Sequence, residues 1–291
     1  MKIVISGGSG FIGTELTDYY TSLGFDVVFI GRKHFRRKAH DFKELLRGSD
    51  VIIHLAGAPI YHRWTASYKK ELYASRVDTL DKIYTSLKLV KERPSLCISA
   101  SAIGLYDYSD KLHKESDYTP GNGMMADLVT KWEAAAMRLE ELEGMRVVTM
   151  RLGVVLGKEA PAFLKLKKQF KWGLGGRMGK GTQAFPFIHI DDLKDLTFFM
   201  MQRQDLRGPV NMVTPEQITN REFAKKMGKA LHRPSFFIIP RWILYLMKGK
   251  ASQILTKGSK VYPEKLMKYG YQFKYPDADS ALKNLIGKKS N

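Results

Sequence analysis

The clearest structural signal in the sequence is the segment Lys2-Ile3-Val4-Ile5-Ser6-Gly7-Gly8-Ser9-Gly10-Phe11-Ile12-Gly13. Residues 2–6 are a short β-branched run, and the glycines lead into an apolar-periodic stretch that extends to Leu23. This order is typical of a strand, a glycine turn and a helix, the context in which such a motif binds dinucleotides. Because glycine lacks Cβ, backbone amides from Gly7 to Gly13 can approach a diphosphate at the positive end of the helix dipole. We therefore predict a diphosphate site at Gly7, Gly10, Phe11, Ile12 and Gly13; the alternative is a plain turn without ligand.

Strands and helices alternate along the next part of the chain. The pattern predicts strands at 26–30, 50–55, 95–100 and 146–152, a basic loop after the second strand, and helices at 64–91 and 124–143. This alternation indicates an α/β protein, a doubly wound parallel-sheet Rossmann fold.

The regular alternation of strands and helices ends at Gly153. Glycine-rich and basic segments and proline-marked turns follow. We predict a dinucleotide-binding core at 1–153, to which residues 186–213 return with a final sheet strand at 208–213. Residues 154–185 and 214–291 are expected to form a small C-terminal lobe that binds substrate.

The end of the second predicted strand indicates the type of dinucleotide. An NAD site places Asp or Glu there to hold the ribose 2′-hydroxyl. This chain has Gly31-Arg32-Lys33-His34 instead, so a 2′-phosphate would be paired with a cation. Arg32 therefore favours NADP(H) over NAD(H); the alternative is a solvated basic loop.

Composition limits the other possible partners. Forty-eight Lys and Arg against 29 Asp and Glu give a net charge of +19, which attracts phosphates without specifying any of them. The single cysteine and seven scattered histidines lack metal-ligand spacing, so we expect no metal. No apolar run is long enough to cross a bilayer, and the N-terminus lacks a signal core. We therefore expect a cytoplasmic protein with no membrane partner.

A nucleic-acid-binding surface is a further interpretation of the charge. The C-terminal cations alternate with aromatic and aliphatic residues, but they follow helical spacing and no base-reading motif accompanies them. A solvated face is the preferred interpretation, and nucleic acid is not expected as a partner.

Several motifs in a familiar order resemble one known family, the atypical extended short-chain dehydrogenase/reductases described only as NAD(P)-dependent epimerase/dehydratase-like proteins of unassigned substrate. The resemblance covers essentially the whole chain. It rests on residues 7–13, 54–57, 99–106, 132–136, 151–157, 173–176, 187–192, 208–211 and 270–276.

The resemblance implies specific cofactor contacts. Arg32 is similar to the ligand of the 2′-phosphate, and Leu55 and Ala56 to backbone contacts on the adenosine and diphosphate side. The same comparison implies roles for Gly31, Gly57, Glu71, Arg76, Ser99 and Arg151. Arg76 and Arg151 are cations that could equally serve as structural ion-pair partners.

The catalytic residues depart from the superfamily's pattern of a Ser or Thr, and a Tyr followed four residues later by Lys. In that chemistry Lys lowers the Tyr pKa so that the phenol exchanges a proton while nicotinamide exchanges a hydride. The positions expected for the pair fall near Met125 and Val129, which cannot titrate. The remaining candidates for catalysis are Ser101 and Tyr106; the alternatives are a satisfied strand-end hydroxyl and a packed aromatic ring.

Two functions follow. The first is an NADP(H)-binding oxidoreductase or epimerase-like enzyme acting on an unidentified small molecule. The alternative is a dinucleotide-binding sensor or regulatory protein that has lost catalysis, which the missing Tyr and Lys suggest. A homodimer is compatible with either function.

Overall fold

The computed structural model describes residues 1–287, which form twelve strands and thirteen α-helices. The strands are β1 (Lys2–Ser6), β2 (Asp26–Ile30), β3 (Val51–His54), β4 (Leu96–Ala102), β5 (Leu112–His113), β6 (Arg146–Leu152), β7 (Val154–Leu156), β8 (Gly176–Met178), β9 (Phe187–His189), β10 (Gly208–Met212), β11 (Phe237–Ile239) and β12 (Lys260–Val261).

The helices are α1 (Phe11–Ser22), α2 (Arg32–Phe35), α3 (Ala39–Leu46), α4 (Ala66–Ala74), α5 (Val77–Leu87), α6 (Met124–Met137), α7 (Pro161–Lys171), α8 (Ile190–Gln202), α9 (Asn220–Leu231), α10 (Arg241–Lys248), α11 (Gln253–Thr256), α12 (Glu264–Lys268) and α13 (Ala278–Ile286). Short 3-10 segments occur at Ile103–Leu105, Arg138–Glu141 and Gly249–Ser252.

Six strands form one parallel sheet in the order β10-β6-β4-β3-β1-β2. The chain runs from β1 to β2 on one side and then crosses to β3 on the other, so the strand order reverses at β1. In open α/β sheets, ligands bind in the crevice beyond the carboxyl ends of the strands at this reversal. The turns after β1 and β3 therefore meet at the expected binding site.

Apolar layers cover both faces of the sheet. Leu16 of α1 and Leu193 of α8 pack on one face. Phe42 of α3, Ile83 of α5 and Ala136 of α6 pack on the other. Two covered faces explain why the central strands are continuous apolar runs rather than alternating ones. The predicted doubly wound fold class is confirmed.

A third core lies in the C-terminal part of the chain, where α7, α9 and α13 enclose Phe163, Phe223 and Leu282. Leu266 of α12 and the following Tyr271 pack against the first core instead. The C-terminal residues thus contribute to two cores, and the domain boundaries at 153, 185 and 213 stay a prediction.

Three predicted elements are corrected. The helix expected at 64–91 is two helices, because the Arg76 backbone departs from helical angles at φ −115° and ψ −58°; there the side chains of Ser75 and Arg76 hydrogen-bond to the Ala58 amide and carbonyl. The basic loop contains α2 and α3. The helix expected at 124–143 ends at Met137 and continues as a 3-10 segment.

The final sheet strand expected at 208–213 is present as β10 beside β6. No helix within residues 1–287 combines the length and apolar character needed to cross a bilayer.

Candidate functional site

The turn after β1 is too tight for side chains at two of its glycines. Gly7 has φ of 79°, and a Cβ atom there would lie 2.7 Å from the Leu55 carbonyl carbon. A Cβ atom on Gly13 would lie 2.4 Å from the Gly8 Cα. The glycines thus let the start of α1 fold back on β1 and meet the loop after β3.

The space in front of α1 is open. A Cβ atom on Gly10 would meet only the Gly7 carbonyl oxygen, at 3.4 Å. Gly10 is the N-cap residue, and no side chain hydrogen-bonds the first turn of the twelve-residue helix. The amides at Phe11 and Ile12 therefore present donors and the positive end of a helix dipole to this space. The geometry fits a dinucleotide diphosphate.

The end of β2 places a cation beside this turn. The Gly7 amide donates to the Ile30 carbonyl at 3.1 Å, which holds the two loops together. The Gly31 amide donates to His34 Nδ1 at 2.9 Å, and Arg32 begins α2 with an exposed side chain. An exposed guanidinium at this position is free to meet an anionic group on the adenosine ribose.

The loop after β3 brings Leu55, Ala56 and Gly57 to the same place. The Cβ position of Gly7 lies 2.7 Å from the Leu55 carbonyl carbon and 2.8 Å from the Ala56 nitrogen. A Cβ atom on Gly57 would lie 3.0 Å from the Arg76 guanidinium carbon, so glycine leaves room for Arg76.

Arg76 is buried without a carboxylate. Its Nη1 donates to the Leu72 carbonyl at 3.1 Å and its Nη2 to the Ala58 carbonyl at 3.0 Å. Its Nε has no hydrogen-bond partner within residues 1–287, and its guanidinium lies 5.0 Å from the centre of the Trp132 ring. Burial lowers the pKa of Arg76 to about 10. An anionic ligand would balance this charge.

Tyr68 lies near the charged residues Glu71, Arg76 and Arg32. Burial raises its pKa; the charge of Glu71 adds to the rise, and Arg76 and Arg32 oppose it. The charges of Glu71, Arg76 and Arg32 therefore all act on Tyr68, and Glu71 is exposed on α4. The structure thus brings together Gly7–Gly13, Arg32, 55–57, Glu71 and Arg76.

Arg151 belongs to a different cluster. Its Nε and Nη2 each donate to one oxygen of Glu133 at 2.8 Å, and its Nη1 donates to the Tyr106 hydroxyl at 2.9 Å. Burial lowers the pKa of Arg151, but the hydrogen bonds and charge of Glu133 outweigh it and raise the pKa overall. Of the two roles left open for Arg151, the structure shows the ion pair.

The two candidate catalytic hydroxyls join this same cluster. Ser101 donates to Glu133 Oε1 at 2.5 Å, and Tyr106 donates to Asn211 Oδ1 at 2.5 Å. The Tyr106 ring stacks on His113, and only 1% of the residue is exposed. Burial raises the pKa of Tyr106 to about 12, against the opposing effect of Arg151. Both hydroxyls have structural partners, and their catalytic roles stay predictions.

Ser99 is fully buried in the middle of β4, opposite His54 and Thr149. Its hydroxyl donates to the Ala100 carbonyl at 3.1 Å. Its side chain is not exposed, and its predicted role at the cofactor site stays a prediction.

Apolar side chains occupy the positions expected for the catalytic Tyr and Lys. Met125 and Val129 are buried on α6 and pack with Leu72, Leu105 and Trp64. The chain has no proton carrier at either position.

Tyr68, Glu133 and Asn211 were not predicted as site residues. Glu133 lies in a quoted motif on α6, but its partner Arg151 is 18 residues away and Asn211 is 105 residues from Tyr106. These contacts appear only in the fold, where β6 lies between β4 and β10 and brings Arg151 and Asn211 next to the end of β4. Tyr68 lies eight residues before Arg76, and nothing in its spacing distinguishes it.

Metal chemistry receives no support from this geometry. In the part of the chain that the structure describes, no three His, Cys, Asp or Glu side chains come together as a metal site requires.

The glycine turn, the uncapped helix and the strand-end arginine define a dinucleotide-binding protein of extended short-chain dehydrogenase/reductase type. Residues 3–213 match the NAD dependent epimerase/dehydratase family, so the chain belongs to this family. Residues 239–285 match a second family described as a domain of unknown function, DUF1731. The predicted resemblance is confirmed.

Named relatives match this chain over nearly its full length. The epimerase family protein SDR39U1 of Mus musculus is 34% identical over 295 residues, which cover 98% of this chain and 100% of the mouse protein. A crystal structure of human epimerase family protein SDR39U1 (isoform 2) with NADPH is 31% identical, with a TM-score of 0.90; the match covers 98% of this chain and 99% of the human one.

A more distant match is the nucleoside-diphosphate sugar epimerase from Corynebacterium glutamicum. It is 25% identical with a TM-score of 0.78, and the match covers 99% of this chain and 58% of that protein.

Proposed function

We propose that this protein is an NADP(H)-dependent enzyme of the oxidoreductase or epimerase-like type, acting on a small molecule. One observation carries the proposal: the open, uncapped start of α1 lies beside Arg32 at the end of β2. The human relative crystallised with NADPH supports the choice of cofactor.

Each part of the cofactor has candidate residues. The amides at Phe11 and Ile12 would hold the diphosphate, and Gly10 leaves the space for it. Gly31 and Arg32 would hold the adenosine ribose and its 2′-phosphate. Leu55, Ala56 and Gly57 would line the middle of the dinucleotide, where Arg76 adds a buried positive charge. Glu71, whose charge raises the pKa of Tyr68, would lie at the edge of the same pocket.

The nicotinamide supplies hydride transfer when it is bound. Because its pKa is raised to about 12, Tyr106 keeps its proton near neutral pH and would act as a hydrogen-bond or proton donor rather than a base. Ser101 is held by Glu133, so any proton it releases passes to a carboxylate. These two residues remain our candidates for catalysis.

The substrate would enter a polar cavity of about 340 Å³ that borders the segment after Tyr106. Arg241, Lys257 and Lys260 line it together with Tyr108, Asp110 and Gln183, and Asp110 pairs with Lys260 at 3.0 Å. Gln183 donates to the Met178 and Leu255 carbonyls, which leaves its buried Oε1 without a partner within residues 1–287. Two cations without an ion pair in the described part of the chain, Arg241 and Lys257, beside the Lys260–Asp110 pair suit a substrate that carries both an anionic group and hydroxyls.

The comparisons do not support the alternative of a sensor without catalysis, because the matched family is one of epimerases and dehydratases. The homodimer and the cytoplasmic location stay predictions.

Thermal unfolding with NADPH and NADH tests the cofactor assignment. A ligand at 100 times its dissociation constant adds about 2.7 kcal/mol, which raises the midpoint by several degrees. We expect NADPH to give the larger shift at equal concentration. Arg32→Ala should weaken NADPH binding about 10- to 100-fold and leave NADH within about twofold, because only NADPH has the 2′-phosphate.

Arg37→Ala is the matched control, since Arg37 is also an exposed cation of the same loop. It should bind both cofactors like wild type. An equal loss in both variants would mean that the loop attracts the cofactor only by general charge. Hydride exchange from NADPH into a panel of anionic carbonyl compounds then separates the enzyme from the sensor, which binds without turnover.

A further inference from the structure

The positive charge of the chain is concentrated in two segments. Residues 160–190 and 223–263 contain fifteen of the 48 Lys and Arg and none of the 29 Asp and Glu. The structure joins these segments, because β8 pairs with β11 and the Gly179 amide donates to the Ile239 carbonyl at 2.9 Å. The result is one strongly basic part of the C-terminal region.

The same part exposes large apolar side chains. Trp172 is 68% exposed just before β8, and Phe236 is 75% exposed just before β11. Because β8 and β11 run parallel with Gly176 opposite Phe237, both aromatic residues lie at the same end of this two-stranded sheet. Leu174 and Ile238 are exposed beside them.

Helix α10 continues this apolar surface after Pro240. Trp242, Tyr245 and Leu246 are spaced to share one helical face, and each is more than half exposed. The opposite side is anchored: Leu244 is buried, and Arg63 donates to the Leu246 carbonyl at 3.3 Å. We define the apolar patch as the exposed side chains of residues 172–174, 236–238 and 242–247.

Exposed clusters of this kind mark interaction sites, and the surrounding charge selects among partners. A second copy would bring the same cations against themselves, so self-association is opposed. Nucleic acid would pair with the cations but leave the aliphatic side chains of Leu174, Ile238 and Leu246 in water. An anionic bilayer surface satisfies both features, since apolar side chains enter the headgroup boundary while Lys and Arg extend toward lipid phosphates.

We propose that the apolar patch and its basic surroundings dock the protein on an anionic lipid surface. This inference is independent of the cofactor site. It departs from our expectation of no membrane partner, which considered only bilayer-spanning segments. Docking by exposed side chains needs no spanning helix.

Cosedimentation of the full chain with vesicles tests the proposal. Vesicles of phosphatidylcholine alone are compared with vesicles that contain about one third phosphatidylserine, in salt near physiological ionic strength. We expect at least about tenfold tighter binding to the anionic vesicles. The double variant Trp242→Ser/Leu246→Ser should lose most of this binding.

Matched controls separate the patch from general effects. Leu23→Ser/Leu89→Ser removes two exposed apolar residues elsewhere and should bind like wild type. Lys248→Glu/Lys250→Glu should weaken binding to anionic vesicles, whereas Lys70→Glu/Lys91→Glu, an equal charge change on other surfaces, should weaken it much less. An unchanged NADPH thermal shift in all variants shows that they fold.

Three results would overturn the proposal. The first is equal binding to neutral and anionic vesicles, or none to either. The second is wild-type vesicle binding by Trp242→Ser/Leu246→Ser. The third is a concentration-dependent dimer, or a complex with single-stranded DNA, that anionic vesicles fail to displace.

Discussion

Within residues 1–287 three arginines are buried, and two of them, Arg76 and Arg151, contact α6 and have opposite surroundings. Arg151 is bound by both oxygens of Glu133 and by the Tyr106 hydroxyl. Arg76 faces the ring of Trp132, the residue before Glu133, and has only carbonyl and hydroxyl partners. Their pKa values move in opposite directions, lowered for Arg76 by burial and raised for Arg151 by Glu133 despite its burial.

This difference, together with the position of each arginine in the fold, bears on which of the two a ligand could contact. A buried charge without a counter-ion is costly unless something supplies one. Arg151 has its counter-ion within the fold, while Arg76 lies at the loop that faces the glycine turn. We therefore propose that Arg151 stabilises the end of the sheet and that Arg76 serves the dinucleotide site.

The largest expected effect comes from removing the counter-ion of Arg151. Glu133→Ala should lower the free energy of unfolding by about 3–5 kcal/mol, because it leaves a buried arginine unpaired and also strips Ser101 of its partner. Chemical denaturation measures this change. Glu143→Ala, on an exposed position after the same helix, should alter it by no more than about 0.5 kcal/mol. Similar losses in the two variants would contradict the structural role of the pair.

A smaller effect concerns His54, next to Arg76. Burial, and then the charge of Arg76, lowers the pKa of His54 to about 3. Below the ordinary histidine pKa of about 6.5, the unfolded chain takes up a proton that the folded chain refuses, so stability falls as the pH falls. Between pH 7 and pH 5 this histidine should account for a loss of about 2 kcal/mol.

Urea denaturation at the two pH values checks the effect in wild type and in His54→Gln. Wild type should lose stability more steeply toward pH 5 than the variant. His189, whose pKa burial lowers to about 4, contributes to both slopes and cancels in the difference. Equal slopes would show that His54 is protonated in the fold.

The smallest change in stability is expected for Arg76. Arg76→Met should shift the free energy of unfolding by no more than about 1 kcal/mol, because methionine fills the site without a buried charge. Its NADPH affinity should fall about fivefold or more by titration calorimetry. A large loss of stability with intact NADPH affinity would place Arg76 with Arg151 as a structural residue.

The sequence alone predicts the part of the site that local rules specify. One turn requires the glycines at positions 7, 10 and 13. One strand end determines the cofactor, because Arg32 stands where an NAD site has a carboxylate. The sequence does not distinguish Arg76 from Arg151, because the residues that surround each of them come from other helices and strands. Ser101 and Arg151 meet through the register of β4 with β6, and Ser75 and Arg76 bond to Ala58 where a helix ends.

The apolar patch shows the same limit. The spacing of Trp242, Tyr245 and Leu246 indicates a helical face, but an apolar face usually packs inward. In α10 the buried side chain is Leu244, on the other side of the helix. The Arg63 contact and the packing of the Gly249–Ser252 segment hold the helix in this orientation.

A crystal structure of the chain grown with NADPH would show whether the glycine turn and Arg32 bind the dinucleotide. We expect the diphosphate on the amides of Phe11 and Ile12, with the 2′-phosphate within hydrogen-bond distance of Arg32. A crevice closed by side chains, or a 2′-phosphate held away from Arg32, would contradict this expectation.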